Sequence, residues 1–328
     1  MLKDASRRIP QMQAKLTDVP GILVGHSTNQ QVGTGCTVVL APDQGMRGAV
    51  FVRGRATGSR ELDVLSPHHL VSNIHAILLT GGSAFGLGAA DGVMRWLAER
   101  RRGFDVGVGV VPIVPSAVIF DLSYGEPKWP DADAGYSACD MAGTDVEEGS
   151  VGAGTGATVG KVLGAAGMMK GGVGMWAEHR GDVVVGALAV VNAFGDVRDS
   201  EGKILAGARG PEGFVDARRY LTNGGVPGEG FSREGANTTL VVVATNTNTT
   251  RLELHGVAQM AADALGQRIT PVGTAFDGDM VFAVSTGEIV PGTAIEVELL
   301  AQHATAIAIE RAVSQATGSD EVPGLGER

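Results

Sequence analysis

In the stretch Gly235-Ala236-Asn237-Thr238-Thr239-Leu240-Val241-Val242-Val243 a flexible polar linker turns abruptly into a buried strand. From Thr239 to Ala244 the residues are nearly all β-branched or small and apolar, as expected of a strand covered on both faces, and Val183 to Val191 reads the same way. Both are expected at the centre of a sheet, with Thr238 at the entrance of one of them. Asn237-Thr238 then has two readings. It is a turn feeding a strand, or it is a bond that the chain cuts itself. The second requires Ser, Thr or Cys after the bond, because the hydroxyl or thiol must attack the preceding carbonyl in an acyl shift from a strained backbone. The freed α-amine, with a reference pKa of about 8, would then serve as general base for the hydroxyl on its own residue.

Outward from this stretch, short strands are expected at Ile22 to Val24, Thr37 to Leu40 and Ala49 to Val52, each bounded by glycine or proline. Another, Ile74 to Leu79, runs into the turn Thr80-Gly81-Gly82-Ser83 and then a helix from Ala84 to Arg101, with Val93, Trp96 and Leu97 on one face. Val106 to Phe120 reads as extended, Asp121 to Glu148 as a polar loop able to cover a site, and Gly156 to Ala166 as a small-residue helix. Helices at Leu252 to Gln267 and Ile295 to Ala316 flank a strand at Met280 to Val284. Residues 1–17 read as a polar tail and Ala208 to Ala236 as the linker candidate, and no internal repeat is evident.

With 328 residues, 44% of them apolar and 19% charged, the chain is neither disordered nor a small disulfide scaffold. Its 50 glycines have no three-residue period, so they point to tight turns and thin gaps between layers, not to collagen. A net charge of −10, with the densest basic run (Arg100, Arg101, Arg102) at a helix end, speaks against a nucleic-acid partner. Cys36 and Cys139 lack metal or redox spacing and fit a reducing compartment. Met1 to Arg8 has no apolar core of a secretion signal, and Pro112 and Pro115 break the longest apolar stretch. A cytoplasmic protein with no membrane partner is expected.

Several motifs fail on position. In Gly152 to Lys161 a phosphate loop would need glycine at 155 and Ser or Thr at 162, where Thr155 and Val162 stand. No dinucleotide fingerprint, H-E-x-x-H pair or G-x-S-x-G elbow is completed.

Six ordered segments, however, resemble one family: Leu16-Thr-Asp-Val-Pro-Gly-Ile-Leu-Val-Gly-His26, Leu79-Thr-Gly-Gly-Ser-Ala-Phe-Gly-Leu87, Val114-Pro-Ser-Ala-Val-Ile-Phe-Asp-Leu122, Gly152-Ala-Gly-Thr-Gly to Lys161, Asn237-Thr-Thr-Leu and Phe276-Asp-Gly-Asp-Met-Val-Phe282. The family is that of the L-aminopeptidase D-amidase/D-esterase, the β-aminopeptidases and the nylon-oligomer (6-aminohexanoate-oligomer) hydrolase. The resemblance implies an α/β (α+β) fold, a four-layer αββα sandwich like that of the N-terminal-nucleophile hydrolases and ornithine acetyltransferase. It implies one catalytic domain over 1–328, cut after Asn237 into chains 1–237 and 238–328 that stay together. It also implies assembly into a homo-oligomer, a tetramer of such units, with no metal or organic cofactor.

Residue by residue, the resemblance makes Thr238 the nucleophile and puts Asp277 and Asp279 in the segment that supports it. The D-x-D pattern with Thr at the cut looks closer to the nylon-oligomer hydrolase than to the serine aminopeptidases. At i and i+2 the two carboxylates would point the same way and could raise one another's pKa; the plainer reading is a solvated Asp-Gly-Asp turn. Asn192 matches an asparagine whose amide can donate to an oxyanion, or is a strand-end turn residue. Lys161 matches a lysine near the nucleophile, or is a helix lysine reaching for solvent. Phe120 stands in a substrate-contacting position where the nylon-oligomer hydrolase has tyrosine, and Tyr124 follows four residues on with no assigned place. The strand-turn-helix reading adds Gly81, Gly82 and Ser83 as backbone N–H donors to substrate. The implied activity is hydrolysis of short peptides or small amides, including β-, D- or ω-amino acid units. The rivals are an acyltransferase of the ornithine acetyltransferase type and an uncleaved, non-catalytic oligomeric binding protein.

Overall fold

The computed structural model describes residues 14–228 and 237–327. In chain order, the elements that place the site are β1 (Leu23–Asn29), β2 (Thr34–Leu40), β3 (Met46–Val52), β4 (Ser59–Arg60), β5 (Asn73–Ile74), β6 (Ala76–Thr80), α1 (Ala89–Glu99), β7 (Ser116–Val118), α2 (Ala132–Asp140), β8 (Gly172–Arg180), β9 (Val183–Asn192), α3 (Ala217–Thr222), β10 (Thr238–Thr247), α4 (Arg251–Arg268), β11 (Met280–Ile289) and α5 (Ala294–Ser314).

Every residue of β9 and β10 is buried, which is why these strands read as unbroken apolar runs. They lie together within a six-stranded sheet of order β8-β9-β10-β11-β3-β5, β10 running antiparallel to β9 and parallel to β11. A second sheet has the order β1-β2-β6-β7-β4. Side-chain alternation then builds the layers. Leu240, Val242 and Ala244 face the gap between the sheets with Leu188, Phe282, Val39 and Leu79, whereas Val241 and Val243 face α4 and α5 on the other side. α1 and α2 cover the outer face of the second sheet over Val38, Leu40 and Leu78. Helix, sheet, sheet, helix is the αββα sandwich that the resemblance implied. Each fully buried Leu or Phe in the central layer contributes about 1.5–3 kcal/mol, an upper estimate for a real unfolded chain.

Local chemistry explains the ends of the helices. Thr250 and Glu253 form a reciprocal capping box at the start of α4, and the Thr293 side chain accepts from the Glu296 N–H at the start of α5.

Four expectations change. Leu16, inside the expected polar tail, is fully buried in the central layer; residues 1–13 lie outside the described residues. The expected helix at Gly156 to Ala166 is a short strand at Thr158–Val159 followed by two single 3-10 turns, because Gly160 and Gly164 take φ of 68° and 83°, which an α-helix does not admit. The expected loop from Asp121 to Glu148 contains α2, capped by Asp131. The described part of the linker candidate, 208–228, is packed structure that includes α3: the buried Asp196 carboxylate accepts from the N–H groups of Ala208 (2.8 Å) and Ala217 (2.7 Å). Residues 229–236 lie outside the described residues.

Candidate active site

Three strand ends meet where β10 begins. In the β9/β10 register Asn192 stands opposite Thr238, and on the other flank Asn237 bridges to Asp277 just before β11. The Gly278 N–H donates to the Asn237 carbonyl at 2.8 Å. A strap that follows β3 fixes this junction from outside: the N–H groups of Arg53 and Gly54 donate to the Asp279 carbonyl, and those of Arg55 and Ala56 to the Asp277 carbonyl. Gly278 must be glycine here, since a Cβ would come within 2.7 Å of the Ala56 carbonyl oxygen and 2.8 Å of the Thr238 hydroxyl.

Thr238 is 3% exposed, and its hydroxyl donates to the carbonyl oxygen of Asn237 at 2.6 Å, so the hydroxyl and the carbonyl before it already face one another. Asp277 and Asp279 are both buried, not the solvated turn of the plainer reading. One Asp279 oxygen accepts the Thr239 N–H at 2.7 Å; the other has no hydrogen-bond partner among the described residues. Asp277 accepts the Thr274 N–H at 2.7 Å. Burial raises both carboxyls above the usual range, and the charge of Asp277 raises Asp279 further. Such a pair favours holding one proton next to the threonine.

Lys161 reaches the junction from the glycine-bounded turn that replaced the expected helix. It is buried, and its ammonium donates to the Asn192 backbone carbonyl (3.0 Å) and side-chain oxygen (2.8 Å). Burial pushes it down to about 7, against the attraction of Asp277 and Asp121. Two donors, Lys161 and the Thr158 N–H at 3.0 Å, face the Asn192 oxygen, which fixes the amide orientation; its nitrogen donates to the Phe120 carbonyl at 3.1 Å. Phe120 thus enters the site through its backbone. One amide hydrogen of Asn192 remains to serve another acceptor.

The glycine turn needs correction. The Gly81 N–H donates to the Gly35 carbonyl (2.9 Å), the Gly82 N–H to an Asp121 oxygen (2.6 Å) and the Ser83 N–H to the Ile119 carbonyl (3.0 Å), so these groups are engaged within the protein and do not face a substrate. Asp121, which the sequence reading passed over, organises the turn: its other oxygen accepts from the Thr34 hydroxyl at 2.7 Å. Burial raises its carboxyl against these two bonds. Nearby, buried Lys170 donates to the carbonyls of Thr155 (2.7 Å) and Ala157 (2.9 Å) and lies 4.3 Å from the centre of the Tyr124 ring, which gives that tyrosine a place behind the site. The available signal was Asp121 itself, the first acid after an uncharged run from Val106 to Phe120.

Thr238 opens on a cavity of about 510 Å³, also lined by Arg55, Thr57, Ser83, Val118 and Ala275. This lies within the range of small-molecule sites.

The fold is an αββα sandwich, and at its strand ends a buried threonine is flanked by an acid pair, an asparagine and a lysine. Comparison with known proteins narrows this. The model of peptidase family S58 matches residues 14–322, and the chain belongs to that family, whose members hydrolyse peptide or linear amide bonds. An aminopeptidase of Mycobacterium tuberculosis, itself uncharacterised, is 43% identical over 298 residues, covering 84% of this chain and 82% of its own. The 6-aminohexanoate-oligomer endohydrolase of a Kocuria species is 33% identical over 287 residues, covering 83% of this chain and 75% of its own. The solved L-aminopeptidase D-Ala-esterase/amidase of Ochrobactrum anthropi, a variant of the Ntn hydrolase fold, superposes with a TM-score of 0.70 at 18% identity, covering 94% of this chain and 90% of its own.

Proposed function

We propose that the chain is a self-activating hydrolase of short peptides and small linear amides in which Thr238 is the nucleophile. The observation that carries this is the Thr238 hydroxyl, buried 2.6 Å from the carbonyl oxygen of Asn237 and open to a cavity. In the precursor, the hydroxyl adds to the Asn237 carbonyl carbon while the ionised member of the Asp277/Asp279 pair takes its proton. The C–N bond breaks, the nitrogen takes the proton, and the resulting ester is hydrolysed by water, leaving a carboxylate on Asn237 and a free amine on Thr238.

In the mature site the α-amine takes the hydroxyl proton as the oxygen attacks a substrate amide. In this reading the second Asn192 N–H and the Lys161 ammonium stabilise the negative charge that develops on the carbonyl oxygen. The amine passes its proton to the departing substrate nitrogen, and water then cleaves the acyl ester. The acid pair holds the α-ammonium between turnovers. The names of the relatives, aminopeptidase and 6-aminohexanoate-oligomer endohydrolase, support this substrate class. No observation favours acyl transfer or a non-catalytic role over it.

The proposal extends to one catalytic unit over 1–328, cytoplasmic and assembled as a homotetramer. In its support, no helix among the described residues is long and apolar enough to cross a membrane, and Phe85 and Trp129 form an exposed stack, with centroids 4.4 Å apart, suited to self-association. Light scattering tests the assembly.

Denaturing electrophoresis with mass spectrometry tests the chemistry. Purified wild type should give fragments of ~24 and ~9 kDa, the smaller beginning at Thr238, whereas Thr238→Ala should remain one inactive chain. Full-length wild-type protein with undiminished activity would exclude the mechanism.

A further inference from the structure

We infer that Arg55 recognises a carboxylate on the substrate, so that the preferred substrates are short peptides or linear amides whose free terminal carboxylate lies within reach of the scissile bond. The inference rests on Thr238 as nucleophile and adds to it a substrate feature.

Arg55 lines the same cavity as Thr238, and none of the other described residues lining it is charged. The acids of the site lie behind the cavity, Asp277 and Asp279 being 2% and 1% exposed, so the open space meets a cation first. Arg55 differs from the other arginines of its segment. Arg53 donates to the Ala262 carbonyl at 3.1 Å and stands 3.8 Å from Asp263, and Arg60 pairs with Asp91 at 2.6 Å. The Arg55 guanidinium is exposed and makes no hydrogen bond or ion pair among the described residues. A planar fork of donors without a protein acceptor matches a carboxylate.

The position of Arg55 is set by the site itself. Its N–H donates to the Asp277 carbonyl at 2.9 Å, and the next N–H, of Ala56, donates to the same carbonyl at 3.0 Å. The segment that supports the nucleophile therefore also anchors the cation, and the spacing between them is held by backbone bonds. The hydroxyl-bearing Thr57 and Ser83 line the same space and add polar groups for a carboxylate. Arg55 and Thr238 line one cavity of about 510 Å³. Every unmodified peptide or linear amide oligomer ends in a carboxylate, but only in a short one do that end and the bond under attack share one such cavity. Val118, Ala84 and Ala275 leave the rest of the wall apolar, suited to a short aliphatic chain between the two polar ends.

The test compares kcat/KM of processed wild type, Arg55→Gln and Arg55→Lys on L-alanyl-L-alanine and on the linear 6-aminohexanoate dimer, each as free acid and as terminal carboxamide. Wild type should favour one or both acids over their carboxamides by about tenfold or more, and added salt should shrink that ratio. Arg55→Gln should bring the ratio close to one, and Arg55→Lys should restore part of it. A wild-type ratio near one, a ratio unchanged in Arg55→Gln, or failure of wild type to cleave any of the four compounds would overturn the inference. Thr238→Ala run alongside separates the two ideas: if it cleaves as fast as wild type, the nucleophile assignment fails whatever the ratio shows.

Discussion

Asn192 is held at both ends of its amide: its oxygen accepts from Lys161 and the Thr158 N–H, while its nitrogen donates one hydrogen to the Phe120 carbonyl and keeps another. If its second amide hydrogen serves the oxyanion as proposed, Asn192→Ala should lower kcat by about 10²–10³ with a smaller change in KM, measured on a chromogenic amide, because that donor would act on charge that develops during reaction. The two buried lysines add a pH signature. Lys170 falls from its ordinary 10.5 to about 7 through burial. Between those values the unfolded chain binds more protons than the folded one, so this group makes stability rise with pH across about 7 to 10.5. The acid pair acts oppositely and lower: with folded values raised above 3.8, those groups make stability fall as pH climbs through the window above 3.8. Melting temperatures of wild type and Lys170→Met should therefore diverge in favour of wild type from pH 7 to pH 10. A pH-independent difference would contradict the burial effect on Lys170.

Among the elements, α1 and α2 show what glycine does in this chain. A Cβ on Gly92 would run into the Ala132 carbonyl oxygen, and one on Gly135 into the Ala89 carbonyl oxygen, so the two helices meet backbone to backbone. Gly→Ala in a helix ordinarily stabilises by about 0.5–1 kcal/mol. Gly92→Ala should instead destabilise by about 1–3 kcal/mol in urea unfolding, since the contact is with backbone that cannot turn aside. That mode of packing also explains why α2 was not legible: it has no long apolar stripe, only a cap at Asp131 and a glycine facing another glycine's helix. The strands β9 and β10 and the helices α4 and α5 were legible, because burial on both faces and in-phase apolar residues are local patterns. The turn at Gly160 to Gly164 was not, because positive φ at a glycine leaves no mark on composition. Site residue types were legible at Thr238, Asp277, Asp279, Asn192 and Lys161. Their convergence was not, for it depends on a register that pairs Asn192 with Thr238 and Asn237 with Asp277 across long sequence distances. Asp121 was missed for the same reason: its partners Gly82 and Thr34 are 39 and 87 residues away.

At the scale of the molecule, the proposed cut severs a covalent link but few other contacts. β10 pairs with β9 on one side, and β11 pairs with β3 on the other, so the segment after Thr238 is inserted into a sheet made by the segment before it. The two pieces should co-elute on size exclusion without denaturant and separate only when unfolded. Leu240→Ala, at the centre of the layer between the sheets, should cost about 2–5 kcal/mol in urea unfolding of the associated pieces.

The sheet order also dictates a chronology. Without residues 238–328, the larger sheet would be two strand pairs, β8-β9 and β3-β5, with β9 and β3 left about three strand spacings, roughly 14 Å, apart, and stripped of α4 and α5. No geometry at Asn237 could form on such a remnant, and each piece alone would present bare strand edges to its neighbours. The proposed maturation would thus be irreversible in a specific sense: the nick would be written onto a finished architecture, and a protein unfolded after it would have to rebuild from two chains what was first assembled by one. Denatured mature protein, diluted back into buffer, should recover activity with a yield that depends on concentration and falls well below that of refolded Thr238→Ala precursor judged by circular dichroism.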